Sequence, residues 1–186
     1  VTARRWSGRS ARGRARLAGA IVPLMVAGCV TVVGPADTTA RAELRNAAGR
    51  TIGTATLTQV GEAVRIVVEV QGLPAGAKGV HIHAVGRCDA PDFTTAAGHF
   101  NPHGRQHGAL NPQGPHAGDL PNLTVGGDGR GRLETTATLI TLLSGPGSLF
   151  DADGSALVVH AAPDDFRTDP TGNSGARVAC GVIVKT

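Results

Sequence analysis

Val64-Arg65-Ile66-Val67-Val68-Glu69-Val70 is aliphatic at positions 64, 66, 68 and 70 and charged at 65 and 69. A period of two sends alternate side chains to opposite faces of a strand, one toward a core and one toward water. Upstream, Thr51–Val60 is rich in β-branched residues, and Gly61-Glu62 between the two runs reads as a hairpin turn. Downstream, Leu133–Leu139 follows the turn cluster Gly126-Gly127-Asp128-Gly129, and Leu157–His160 and Val178–Val184 are further strand candidates. Short strands separated by Gly-rich turns predict an all-β fold, an antiparallel sandwich or barrel. Residues 87–121 break the pattern, being dominated by Gly, Pro, Asn and His. So long an irregular stretch inside a compact domain calls for a function.

Composition narrows the classes. The chain has 186 residues, enough for one domain with a core, and 27 Gly with 11 Pro weigh against a helical bundle. Aromatics make up 3%, with one Trp and no Tyr, so base-stacking surfaces for nucleic acid are excluded. The net charge of +4 is concentrated at one end: residues 1–28 hold six Arg and no acid. Of 18 basic residues that leaves 12 against 14 acidic ones, so the remainder is slightly negative and nucleic acid is not an expected partner.

The Arg-rich start leads into an apolar run, Leu17 to Gly28, too short for a bilayer span, which needs roughly 20 residues. A basic stretch, a short apolar core and small residues describe an export signal. Val26-Ala27-Gly28-Cys29 resembles a bacterial lipobox, in which the cysteine carries lipid. The expected organisation is a signal peptide over 1–28, a tether over 29–41 and a domain over 42–186, exported and lipid-anchored at Cys29 to a membrane of the cell envelope. Two cysteines then remain, Cys88 and Cys180. An oxidising compartment allows them to pair, the alternative being two buried thiols, and closing so long a loop stabilises by about 4–5 kcal/mol in the chain-entropy model.

All seven histidines fall between positions 81 and 160. His81 and His83 stand at i and i+2 in a strand-like stretch, which projects both imidazoles from one face as a pair of metal ligands. His160 ends another strand. His99, His107, His116 and Asp119 lie in the irregular stretch, where three imidazoles and a carboxylate suit a tetrahedral zinc ion that would order it.

Val80-His-Ile-His-Ala-Val-Gly-Arg-Cys88, Gly98-His-Phe-Asn-Pro102, His107-Gly108, His116-Ala-Gly-Asp-Leu120, Val158-Val-His160 and Gly175-Ala-Arg-Val-Ala-Cys-Gly-Val-Ile183 occur in that order. Together they resemble the copper/zinc superoxide dismutases of the bacterial exported type, over residues 42–186. The resemblance implies a Greek-key β-barrel of about eight antiparallel strands with long metal-binding loops. It implies that His81, His83, His99 and His160 bind copper and that His99, His107, His116 and Asp119 bind zinc, His99 bridging the two. Asp164 would link a copper-ligand histidine to a zinc-ligand histidine, Arg177 would lie beside the open copper position, and Cys88 and Cys180 would form a disulfide. The implied activity converts superoxide to dioxygen and hydrogen peroxide, with Arg177 and His99 as its catalytic residues. His103 matches no ligand and is expected to be exposed.

Five residues separate Asp165 from Thr171, fewer than in eukaryotic relatives, so the charged set that steers superoxide there is absent. Arg105 and Arg167 are the candidates to replace it. Relatives vary in subunit contact, some being monomers, which leaves a homodimer as one of two options. The rival readings are a non-catalytic copper/zinc-binding envelope protein and a zinc hydrolase. The first would need no filled copper set, and the second would need an open zinc position.

Overall fold

The computed structural model describes residues 1–3 and 38–186. The leader beyond Ala3, Cys29 and the tether up to Asp37 therefore lie outside the described residues. Ten strands follow in order: β1 Thr39–Asn46, β2 Thr51–Val60, β3 Ala63–Val70, β4 Gly76–Lys78, β5 Val80–His83, β6 Leu123–Val125, β7 Gly131–Ala137, β8 Ala156–His160, β9 Arg177–Val182 and β10 Val184–Lys185. Among the described residues there is no α-helix, only a single 3-10 turn at Thr94–Ala96.

Every strand pairing is antiparallel, in the spatial order β4-β6-β7-β3-β2-β1-β9-β8-β5, with β10 added beside β1. The two ends of that order, β4 and β5, are separated in the chain by Gly79 alone, so the sheet curls into a nearly closed barrel. Gly79 seals the seam through its N–H to Ala162 O and its own oxygen to His160 N, both at 2.8 Å. The strand count exceeds the expected eight because β4, β6 and β10 hold only two or three residues each. Strands that short show no alternation in a sequence.

The β3 alternation holds: Val64, Ile66, Val68 and Val70 are buried while Arg65 and Glu69 face solvent. Arg65 pairs with Glu134 across the β3–β7 ladder, on the wet face. The predicted hairpin joins β2 to β3, in register from Gly53↔Val70 to Val60↔Ala63. The main core gathers the inward side chains of these strands with Leu44, Leu57, Ile82, Leu123 and Leu157.

Two boundaries differ from the expectation. β1 begins at Thr39, inside the span assigned to the tether, because its inward residues Ala40 and Ala42 are fully buried yet too small to signal a strand. The predicted strand over 178–184 splits at Ile183, which turns into the core and donates its N–H to Ser155 O at 2.9 Å.

Candidate metal centre

β5 is buried on both faces. Val80 and Ile82 enter the main core, and His81 and His83 point the other way, under the long β5–β6 connection. β8 pairs with β5, and a bulge between Val159 and His160 sets His160 opposite Arg177 on β9. A bulge re-aims the side chain beside it. The connection supplies His99, His107, His116 and Asp119, and the β8–β9 loop supplies Asp164. The six histidines other than His103 are all buried, and His103 is exposed as expected.

One donor atom from each of His81, His83, His99 and His160 lies within 4.8 Å of the others. His83 Nε2 and His160 Nε2 are 3.4 Å apart. Their Nδ1 atoms are engaged elsewhere, with Ala97 O at 2.9 Å and Gly175 O at 3.2 Å, which leaves the Nε2 lone pairs free. His81 is arranged the other way round: its Nε2 donates to Asp164 Oδ2 at 2.7 Å, and its Nδ1 is buried with no partner. His99 Nε2 is likewise buried without a partner. Buried polar atoms are rarely left unpaired, so two orphaned ring nitrogens in one cluster mark a place where a cation fits.

The second donor set surrounds Asp119. Its Oδ1 lies 2.9 Å from His99 Nδ1, 3.0 Å from His107 Nδ1 and 3.3 Å from His116 Nδ1. His116 Nδ1 and His99 Nδ1 are 3.5 Å apart. Ligands about 2.0–2.1 Å from a tetrahedral zinc ion stand about 3.3 Å from one another, so the spacing of Asp119 Oδ1 from the three imidazoles suits that ion. Backbone N–H groups of Gly108 and His116 hold the other oxygen of Asp119, each at 2.9 Å. His99 is the residue whose two ring nitrogens face the two sets.

Charge supports the same reading at three of the rings. Burial drives His83 down to about 2, His160 to about 3 and His99 to about 4. These rings are therefore neutral near pH 7, the state a metal requires. Burial also pulls on His107, but its bonds to Asp119 and Asp164 outweigh that and raise it to about 9. Asp119 and Asp164 are held below the usual carboxylate range, because bonds from the surrounding histidines overcome the opposing effect of burial.

Asp164 joins the two sets, since its Oδ1 lies 3.0 Å from His107 Nε2 while its Oδ2 takes the bond from His81. Asn122, for which the sequence offers no signal, fixes the Asp164 backbone: Asn122 Oδ1 accepts from Asp164 N at 2.8 Å and Asn122 Nδ2 donates to Asp164 O at 2.9 Å. Cys88 and Cys180 are disulfide-bonded, their Cα atoms 5.6 Å apart, which ties the connection to β9.

Above His83, His99, His116 and His160 opens a cleft of about 670 Å³, and among the described residues Arg177 is the one Lys, Arg, Asp or Glu on its wall. The guanidinium is fixed, Nη1 donating to Phe93 O and Nη2 to Ala97 O, both at 2.6 Å. Arg105 and Arg167, expected as steering residues, are exposed and do not line this cleft. The short β8–β9 loop lines it instead with the neutral Pro170, Thr171 and Asn173.

Comparison with known proteins points one way. Residues 51–183 match the family model for copper/zinc superoxide dismutase. A copper/zinc superoxide dismutase of Aquifex aeolicus is 48% identical over 149 residues, covering 79% of this chain and 87% of that one. One from Deinococcus radiodurans is 40% identical over 181 residues, covering 88% and 94%. Among solved structures, a double mutant of a superoxide dismutase-like protein from Bacillus subtilis superposes with a TM-score of 0.74 at 42% identity, covering 76% of this chain and 95% of that one.

Proposed function

Because the chain belongs to the copper/zinc superoxide dismutase family, we propose that His81, His83, His99 and His160, which cluster together, hold its copper, and that His99, His107, His116 and Asp119, joined through the Asp119 carboxylate, hold its zinc. The protein is a superoxide dismutase, an oxidoreductase with copper and zinc as cofactors. The observation that carries the ligand assignment is the double-sided placement of His99. Its Nδ1 lies in the Asp119 set, and its Nε2 faces the other set, buried and unpartnered.

Bound copper supplies the one-electron chemistry by which one superoxide is oxidised to dioxygen and a second is reduced to hydrogen peroxide, while zinc is redox-inert. The chain's own groups do the rest. Arg177 draws the anion into the cleft and orients it, since a guanidinium held at two points presents its remaining N–H groups in a fixed direction. His99 Nε2 would take up one proton and return it to the reduced product, the second proton of hydrogen peroxide coming from water. Asp164 fixes the tautomers of His81 and His107 by accepting from both Nε2 atoms. The decisive experiment pairs elemental analysis with a superoxide assay. One copper and one zinc per chain are expected, with activity abolished in His160→Ala; activity that survives this change, or zinc alone, would overturn the copper assignment.

The finer reading is an exported protein anchored by lipid on Cys29. A disulfide between Cys88 and Cys180 suits an oxidising compartment. The domain's own geometry suits an anchor as well. β1 starts at Thr39, and its far end, Asn46, pairs with Ala179, two positions from Arg177. A tether entering at Thr39 thus leaves the cleft roughly 20–25 Å away, at the opposite end of the strand. Trp6 is the only tryptophan and there is no tyrosine, so the processed form lacks indole emission. Membrane-fraction protein that fluoresces from tryptophan would refute cleavage before Cys29.

A further inference from the structure

Phe93 occupies a backbone conformation that bulky residues avoid, with φ 56 and ψ 22. Its ring is 2% exposed and packs with Ala96, Ala156, Val158, Cys180 and Cys88 in a small core of its own, separate from the barrel interior. The ring is the largest apolar group in that cluster. Four residues on, Ala97 adopts φ 62 and ψ −150, a region that only glycine occupies readily. The two residues bracket the 3-10 turn Thr94–Ala96, which is closed by Ala96 N to Phe93 O at 3.1 Å and Ala97 N to Thr94 O at 3.0 Å.

Two non-glycine residues with positive φ around one turn need a stabilising cause and imply a use. Glycine at 93 would take the left-handed conformation without strain but would bury nothing. The ring supplies the cause, because leaving that conformation would pull it out of the cluster beneath the disulfide. The use lies in the oxygens: the carbonyls of Phe93 and Ala97 are the two acceptors of the Arg177 guanidinium.

We infer that Phe93 is a positioning residue for Arg177, its buried ring holding the turn in the strained shape that presents both carbonyls to the guanidinium. This rests on the role given above to Arg177 as the anion-binding group. Phe93 itself touches neither substrate nor metal; its effect on anions runs through that arginine, and because Ala97 O also accepts from His83 Nδ1, copper content is measured beside azide affinity and should stay at the parent level.

The test uses Phe93→Leu, with Phe93→Met as a second variant that keeps the core filled, Arg177→Gln, and the double variant Phe93→Leu/Arg177→Gln. In metal-free protein, modification of Arg177 by phenylglyoxal, followed by peptide mass spectrometry, is expected to run several-fold faster in either Phe93 variant than in the parent. In copper- and zinc-loaded protein, azide is expected to bind about five- to tenfold more weakly, the scale of one lost hydrogen bond. The double variant should bind azide no worse than Arg177→Gln alone. A lowered melting temperature with unchanged phenylglyoxal rate and azide affinity would overturn the inference, as would losses that multiply in the double variant. If Arg177→Gln itself left azide binding intact, the anion role of Arg177 would fall, and the phenylglyoxal rates would still decide whether Phe93 places it.

Discussion

Arg177 and His83 donate to the same oxygen: Arg177 Nη2 lies 2.6 Å and His83 Nδ1 2.9 Å from Ala97 O. One backbone carbonyl therefore sets both the direction of the cleft's cation and the tautomer of a proposed copper ligand. With its proton committed at Nδ1, His83 keeps a lone pair on Nε2, and burial, with Arg177 and the neighbouring rings acting in the same direction, prevents a second proton from binding.

That sharing separates two effects of changing Arg177. Arg177→Gln should lower kcat/KM for superoxide by roughly 10–100-fold, the range for losing a hydrogen bond to a charged partner. Copper and zinc content should stay at the parent level, because His83 retains its acceptor. The salt dependence of the rate should also flatten, since no Lys, Asp, Glu or other Arg lines the cleft. Arg177→Lys should restore little, because an ammonium cannot span two carbonyls as a guanidinium does. Wild-type kcat/KM in Arg177→Gln would remove the arginine from the mechanism.

The metal-free protein should be most stable near pH 6.5. His83, His99 and His160 titrate at about 2, 4 and 3 in the fold, against about 6.5 when unfolded. The unfolded chain thus binds more protons below 6.5, and stability falls as pH drops through that range. The depressed carboxyls of Asp119 and Asp164 add a further loss below about pH 4. His107 works in the opposite sense: raised to about 9, its contribution is complete below 6.5 and is lost as pH climbs through 9. Chemical denaturation of chelator-treated protein across pH 4–10 measures this. A curve that rises steadily toward acid would contradict the buried neutral histidines.

Much of this centre could be read from side-chain identity. The β3 alternation and the β2–β3 hairpin follow from aliphatic spacing, and His81 and His83 share a face because every second residue of a strand points to one side. Elements defined by the backbone left no such trace. The cradle of Arg177 consists of two carbonyl oxygens, which every residue carries, and only the conformations of Phe93 and Ala97 aim them. Asn122 lies outside every quoted motif, just before a three-residue strand, so its pair of bonds to Asp164 depends on a loop closure that spacing does not encode. Arg105 and Arg167 are legible as charges, but that neither lines the cleft follows from the β8–β9 loop, which turns neutral residues to it.

Gly172 should be intolerant of any side chain. Its φ is +62, and an added Cβ would collide with the Asp164 carboxylate and approach His107 Nε2 to 2.5 Å. The carboxylate that joins the two donor sets would have to move. Gly172→Ala is therefore expected to weaken zinc binding by roughly 10–100-fold, the usual cost of disturbing a group that orients a ligand. Asp164→Asn should match it in direction. Competition with a chromophoric chelator reads the affinity, and an unchanged value in both variants would mean that Asp164 does not hold His107 in place.

Removing the disulfide should affect stability and the cleft separately. Cys88 and Cys180 close a loop with a sequence separation of 92, worth about 4–5 kcal/mol if the whole entropic effect is realised. Cys180 is three positions from Arg177 on β9, and Cys88 borders the cluster that holds Phe93. The donor atoms of the Asp119 set, by contrast, come from residues beyond the disulfide-tied turn. Cys88→Ala/Cys180→Ala should thus unfold at lower denaturant, with a stability loss of about 2–5 kcal/mol. While still folded, it should retain zinc but show reduced superoxide removal and weaker azide binding. Zinc content, azide affinity and the denaturation midpoint, measured on one preparation, separate these effects. Loss of zinc in step with activity would place the disulfide's influence on the whole metal centre instead of on the arginine side of the cleft.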